Sequence, residues 1–245
     1  ELSSNKNSLN KLRKFADFKN DWLFGYFSYD LKNEVENLTS NNLDNFSADN
    51  LYFFCPKYVI FYKDNHLEIH THESREQCDN LIFNLKFSKL NKEHSSISLK
   101  SRDSKTSYIK KINKIMQHIK SGNIYEMNYC QEYFATDVNI LPENLFWKLN
   151  DKMEMPFSCF LRLRDKYIIS ASPERYIKKT NDIILSQPIK GTIARGLDNQ
   201  EDNELKKILL ESKKDISENI MITDLVRNDL SITARKSSVK VDDLC

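Results

Sequence analysis

Apolar residues in this chain follow two rhythms, and the boundaries between them outline its elements. Leu9, Leu12 and Phe15 recur at three-residue steps through SLNKLRKFADF, which predicts a short amphipathic helix over residues 8–18 with Ser8 as its cap. WLFGYFSYDL reads as a strand, as do LYFFCPKYVIFY, broken by Pro56, and HLEIHTH; a helix from about Ser74 to Phe87 follows. Residues 88–106 are rich in Ser and Lys and lack a period, so they cannot bury enough apolar surface to fold alone and mark a domain boundary. Beyond them Tyr108, Ile109, Ile112, Ile115, Met116 and Ile119 form one stripe, ended by Ser121 and Gly122, which predicts a helix over 107–121. IYEMNYCQEYFA then reads as a strand and PENLFWKLNDKM as a helix with Pro142 in its first turn. FSCFLRLR and KYIISAS read as paired strands, followed by a strand in DIILSQP, the loop IKGTIARG, one helical run from about Asn199 to Asn228, and a last strand in SSVKV. Adjacent antiparallel strands mixed with helices predict an α+β fold, divided into regions 1–100 and 104–245.

Composition narrows the class. The chain has 245 residues, 37 Lys and Arg against 35 Asp and Glu, and 40% hydrophobic residues. A chain of that length can bury roughly 70–75% of its unfolded surface without disulfides or metals. The near-neutral balance of charge argues against a dedicated nucleic-acid binder, and the lysines of KKINKIMQHIK flank a core stripe as a solvated face. No run reaches the roughly 18 apolar residues that cross a bilayer and no signal peptide opens the chain, so a cytoplasmic address is the expectation. The five cysteines are widely spaced without a CxxC pair, which suits free thiols in a reducing compartment. His66, His70 and His72 share one strand face and read as solvated rather than metal-binding. The chain opens on Glu1 rather than Met and stops just after SVKVDDL, so a fragment is expected. With only four glycines in the chain, each is expected to answer a backbone demand.

Three clusters depart from what packing alone selects. In Ser172-Pro173-Glu174-Arg175 a carboxylate stands beside a proline-stiffened turn, suited to general acid or base work, or else simply paired with its Arg neighbour. In Pro188-Ile189-Lys190-Gly191-Thr192 a lysine leaves a strand just before a glycine that lets a ligand approach, so Lys190 is either an amine nucleophile or a solvated loop lysine. On the last long helix Glu211, Asp215 and Glu218 fall at i, i+4 and i+7 on one face that continues into Ile222 and Leu225. Carboxylates one turn apart can hold Mg²⁺, or form a solvated acidic stripe eased by Lys214.

The strings GNIYEMNYCQEY, SPERY, PIKGTIARG and KKDISENIMITDLVRNDL, in this order, resemble the chorismate-utilising enzymes, which include the component I proteins of anthranilate and aminodeoxychorismate synthases and the isochorismate and salicylate synthases. The resemblance is strong over Tyr108 to Leu244, and GYFSYDLKNE near Gly25 extends it to the amino-terminal region. It implies an anthranilate synthase component I-like fold of mixed and antiparallel sheets with flanking helices. The residue between Ile and Gly in PIKGT separates the chemistries of that family: alanine in the anthranilate and isochorismate enzymes, lysine in the aminodeoxychorismate synthases. Here it is Lys190.

By resemblance, Lys190 adds to C2 of chorismate while the C4 hydroxyl departs, Glu174 is the general acid and base, and ammonia then enters at C4 and expels the lysine. Gly191 and Thr192 match substrate-contacting residues, Glu218 matches a magnesium ligand, and Asp215 matches the acidic residue one turn before it. A glutamine amidotransferase subunit is the implied source of ammonia, and folate synthesis the destination of the product. Ala194, Glu126 and Ser217 depart from the usual proline, glutamine and alanine, and are expected to stand clear of the catalytic atoms. The late histidine, glycine-rich and basic strings of the family are not found, so the chain is expected to hold the nucleophile, the acid/base and half a metal site, and to be poorly active alone. An anthranilate synthase component I and an inactive chorismate-binding or regulatory module are the competing readings.

Overall fold

The computed structural model describes residues 1–85 and 97–244. The chain divides into two compact units, Glu1–Ser88 and Lys89–Cys245. Residues 88–96 of the polar stretch read as a boundary, and the last two residues of the helix expected to reach Phe87, lie outside the described residues.

The first unit runs β1 (Leu2–Ser4), α1 (Ser8–Lys19), β2 (Phe24–Phe27), a 3-10 turn (Tyr29–Leu31), α2 (Lys32–Val35), β3 (Leu51–Phe54), β4 (Tyr58–Lys63), β5 (His66–Thr71) and α3 (Arg75–Asn84). Strand β3 lies between β1 and β2, with Leu2 opposite Phe53 and Phe24 opposite Phe54. The central strand carries the core, Leu51 and Tyr52, with Leu31 beside them in burial. Ser8 does not cap α1. Asn7 holds that place in left-handed geometry, while Ser8 is fully buried and donates its N–H and Oγ to Glu34 at 2.8 and 2.6 Å. A buried hydroxyl is tolerated there because both of its polar groups are bonded. Pro56 separates β3 from β4, and Asp64 and Asn65, both at positive φ, make the tight turn of the β4–β5 hairpin. His70 meets Glu68 at 2.7 Å and packs against the Trp22 and Phe61 rings, and His72 meets Asp21 at 2.9 Å, so these two histidines have acidic partners rather than standing simply in solvent.

The second unit runs β6 (Lys100–Ser101), α4 (Lys105–Lys120), β7 (Tyr133–Phe134), α5 (Pro142–Met153), β8 (Phe157–Leu163), β9 (Lys166–Ser172), β10 (Arg175–Thr180), β11 (Ile183–Gln187), α6 (Asn199–Glu211) and α7 (Lys213–Ser231). Helix α4 is capped by Ser104 and closes at Ser121, with Gly122 left-handed beyond it. The α5 helix packs on the β8–β9 hairpin, its Phe146 ring 5.6 Å from that of Phe160, with Leu163 the buried apolar residue there. The α+β class holds, as antiparallel hairpins and helices.

Four expectations are corrected. IYEMNYCQEYFA is irregular except at Tyr133–Phe134, which pair with Lys100–Ser101; Glu132 accepts one further backbone bond, from the Arg102 N–H at 2.8 Å, and the Gln131 side chain donates to the Asp103 carbonyl. The last two residues of SPERY open a further strand, β10, which forms a hairpin with β11. The run 199–228 is two helices broken at Ser212, whose extended backbone and side chain cap the second. SSVKV forms no strand: it has no partner strand among the described residues.

Candidate active site

The β10–β11 hairpin sets the frame. Arg175 pairs with Gln187, so Glu174 just before β10 and Pro188 just after β11 leave the same end of the hairpin. From that end come both residues to which the resemblance gives catalytic roles, Glu174 as acid and base and Lys190 as nucleophile. Glu174 sits in the two-residue link between β9 and β10, where its N–H donates to Ser172 Oγ at 3.2 Å. Its carboxylate is exposed and has no hydrogen bond or ion pair among the described residues. The neighbouring Arg175 does not hold it: that guanidinium donates to Gln187 at 3.0 Å and lies 4.8 Å from the centre of the Phe157 ring. The reading of Glu174 as half of a local ion pair is therefore overturned, and the group is left open toward solvent or a ligand.

Beyond Pro188 the chain turns at Gly191, whose φ of +82° is a conformation that costs other residues strain. A Cβ there would also meet Asp215 Cβ and Oδ1 at 2.8 Å. The loop thus lies directly on the first turn of α7, closer than any side chain would allow. Asp215 accepts a hydrogen bond from Ser212 Oγ through Oδ2, and its N–H donates to the same hydroxyl. Thr192 is exposed on the loop beyond. At the far end of the loop Arg195 forks onto Asp202 at 2.6 and 2.7 Å, and the Gly196 N–H donates to the same carboxylate at 2.9 Å. The guanidinium, with that N–H, holds Asp202 down at about 2. Both ends of the loop are fastened, one to α7 and one to the start of α6.

Lys190 lies between the β11 exit and the first of these fastenings. It is half-buried, and its Nζ donates to Glu126 Oε1 at 2.6 Å. Glu126 belongs to the irregular segment after α4, which is pinned rather than loose. Arg102 forks onto Glu132 at 2.8 and 3.0 Å, and Asp103 accepts from Lys111, Ser107 and Tyr129. Lys111 first and Tyr129 second hold the Asp103 carboxyl down at about 2. Glu126 was expected to stand clear of the chemistry. The structure places it on the amine instead, and the one signal in the sequence was that it departs from the usual glutamine.

The acidic stripe is shorter than its spacing suggested. Glu211 ends α6 and falls off the face, because the break at Ser212 resets the helical phase. Asp215, Glu218, Ile222 and Val226 are half-buried on α7, whereas Leu225 is 55% exposed, so the inward line runs through Val226. Glu218 has Lys214 at 3.6 Å. Mg²⁺ takes one or two carboxylates and completes its shell with water and substrate oxygens. Asp215 and Glu218, three residues apart on one helix face, fit one side of such an ion, with Glu218 the freer donor. Among the described residues no three His, Cys, Asp or Glu side chains gather as a closed metal site, and no helix is long and apolar enough to cross a membrane.

The chain is 42% identical over 137 residues to aminodeoxychorismate synthase component 1 of Escherichia coli strain K12, covering 56% of this chain and 30% of that protein. It is 26% identical over 245 residues to the protein of the same name in Bacillus subtilis strain 168, covering 94% and 52%. The chain thus spans between about a third and a half of the length of these relatives. The crystal structure of anthranilate synthase component I from Streptococcus pneumoniae TIGR4 superposes with a TM-score of 0.74 at 22% identity, over 90% of this chain and 52% of that one, which establishes the fold. The profile of the chorismate binding enzymes matches residues 2–245, and the chain belongs to that family.

Proposed function

We propose that the protein is an aminodeoxychorismate synthase component I, which converts chorismate and ammonia to 4-amino-4-deoxychorismate. The observation that carries this reading is Lys190, an amine at the exit of β11, half-buried between two fastened stretches of chain and issuing from the same hairpin end as an open carboxylate, Glu174. In the proposed reaction the neutral Lys190 amine forms a C–N bond at C2, both conjugated double bonds of the ring shift, and the C4–O bond breaks as Glu174 gives its proton to the departing hydroxyl, releasing water. Ammonia then attacks C4, the C2–N bond breaks with its electron pair returning to Lys190, and the new C4 ammonium gives a proton back to Glu174. Splitting one hard substitution into two lowers each barrier. The enolpyruvyl ether is untouched throughout, which separates this product from anthranilate.

Gly191 and Thr192 border the place where the ring would lie, Gly191 by letting the backbone approach without a side chain. Mg²⁺ held by Glu218, with Asp215 beside it, would neutralise a carboxylate of the dianionic substrate. On this reading residues 104–245 are the first part of the chorismate-binding catalytic domain and residues 1–100 its amino-terminal region. A glutamine amidotransferase supplies the ammonia, and the product serves para-aminobenzoate and folate synthesis in the cytoplasm.

The test is to supply the full-length protein that carries this sequence with chorismate, Mg²⁺ and ammonium, and to identify products by mass spectrometry. Aminodeoxychorismate is expected from the unaltered protein and none from Lys190→Ala, with Glu174→Gln slower by about 10²–10⁴-fold. Release of pyruvate with anthranilate, or undiminished turnover by Lys190→Ala, would overturn the assignment.

A further inference from the structure

The contact between Lys190 and Glu126 joins residues 64 apart in sequence, at 2.6 Å, with side chains only 21% and 31% exposed. Each partner is positioned independently of the other. Lys190 is fixed by the β11 exit and by Gly191 seated on Asp215, and Glu126 by a segment fastened through Arg102 and Asp103. Two long side chains meeting by chance on a surface lose much of their attraction to their own freedom. Here that freedom is already restricted, and the bond is charge-assisted and short.

A lysine side chain in neutral water is an ammonium without a lone pair, and a carboxylate in contact favours that form. Glutamine, usual at this position by the resemblance, would keep a hydrogen bond and carry no charge. We propose that Glu126 governs the charge of the Lys190 amine, holding it as an unreactive ammonium while the site is open and accepting its proton once a substrate ring covers the pair. In that transfer the N–H bond breaks, an O–H bond forms on Oε1, and the electron pair stays on Nζ, ready for attack. Excluding water drives it, because two buried charges lose more hydration than a neutral acid and amine. The inference rests on Lys190 being the nucleophile.

It is tested by limited acylation of the unliganded full-length protein with acetic anhydride near neutral pH, reading modification of each lysine by peptide mass spectrometry. Lys190 is compared with exposed Lys207 and Lys213 in the same sample, which controls for reagent and folding. Replacing Glu126 by Gln keeps the shape and removes the charge, so Glu126→Gln should raise the relative rate at Lys190 by about fivefold. Glu126→Asp should leave it near that of the unaltered protein. An unchanged rate in Glu126→Gln, or an equal rise in both variants, overturns the proposal. Should Glu126→Gln not fold, Glu126→Asp against Glu126→Asn repeats the comparison of charge at equal length. Chorismate turnover by the same samples keeps the two readings apart. Turnover without a labelling difference sinks the role of Glu126, and a labelling difference in a protein that makes no aminodeoxychorismate sinks the function instead.

Discussion

Gly191 shows how much one backbone position decides. Its φ of +82° and the 2.8 Å approach of Asp215 to the place of a Cβ mean that any side chain must either strain the turn or push the loop off α7. Gly191→Ala is expected to lower stability by about 1–3 kcal/mol, read as a fall in the urea midpoint at constant slope. It should also lower turnover by moving Lys190. Adding Asp215→Gly should recover part of the midpoint, since it removes the atoms that collide, and no recovery would show that the strain of φ alone is responsible. The scarcity of glycine in the sequence pointed to this position. The atom it makes room for belongs to a helix 24 residues later, and no spacing rule reaches that far.

At the scale of elements, the PIKGTIARG loop is held by what it ties together. The Arg195–Asp202 fork joins its end to the first turn of α6, and Asp202 is held down at about 2, well below the ordinary carboxylate near 4. Because the folded value is the lower one, the stability this contact provides is fully present above about pH 4 and is lost as the pH falls toward 2. Thermal melts between those values should therefore fall more steeply for the unaltered protein than for Asp202→Asn, which starts lower at neutral pH. Parallel curves would mean that the fork contributes nothing. Asp103 has the same displaced value and acts in both proteins alike, so the difference isolates Asp202. Helices α4 and α5 and the β8–β9 hairpin were legible from periodicity and turn residues to within a residue or two. The break at Ser212 was not, because the apolar period runs on across it and only the cap to Asp215 interrupts the backbone.

For the whole chain, burial is where the expectation from length and the structure part company. Among the described residues the buried apolar side chains are Leu31, Leu51, Tyr52 and Leu163, and of these Leu51 alone is fully enclosed. The α4 stripe leaves Ile109 and Met116 at 46% and 45% exposure, and Trp147 and Leu225 are similarly open. The strands pair in small sheets, one of three and the others of two, so each exposes edges and a face that a larger sheet would cover. Apolar surface of this extent binds amphiphilic dyes. The isolated 245-residue chain is expected to enhance the fluorescence of anilinonaphthalene sulfonate at neutral pH well above that of a packed globular protein of its size. Dye response no greater than that of such a protein would show that these faces close on one another in solution.

What the sequence by itself determined is whatever depends on near neighbours: helices from a 3.6-residue period, hairpins from alternation and turns, and the ordered strings that carry the family and single out Lys190 and Glu174. Tertiary structure alone decided which charges meet. Arg175 turns from Glu174 to Gln187, Glu126 reaches Lys190, and Asp215 both accepts from the α7 cap residue Ser212 and bears on Gly191. The reason is physical: an ion pair or a close approach needs only a few ångströms in space and has no preferred distance along the chain, so residues 64 apart can pair without leaving any period to read.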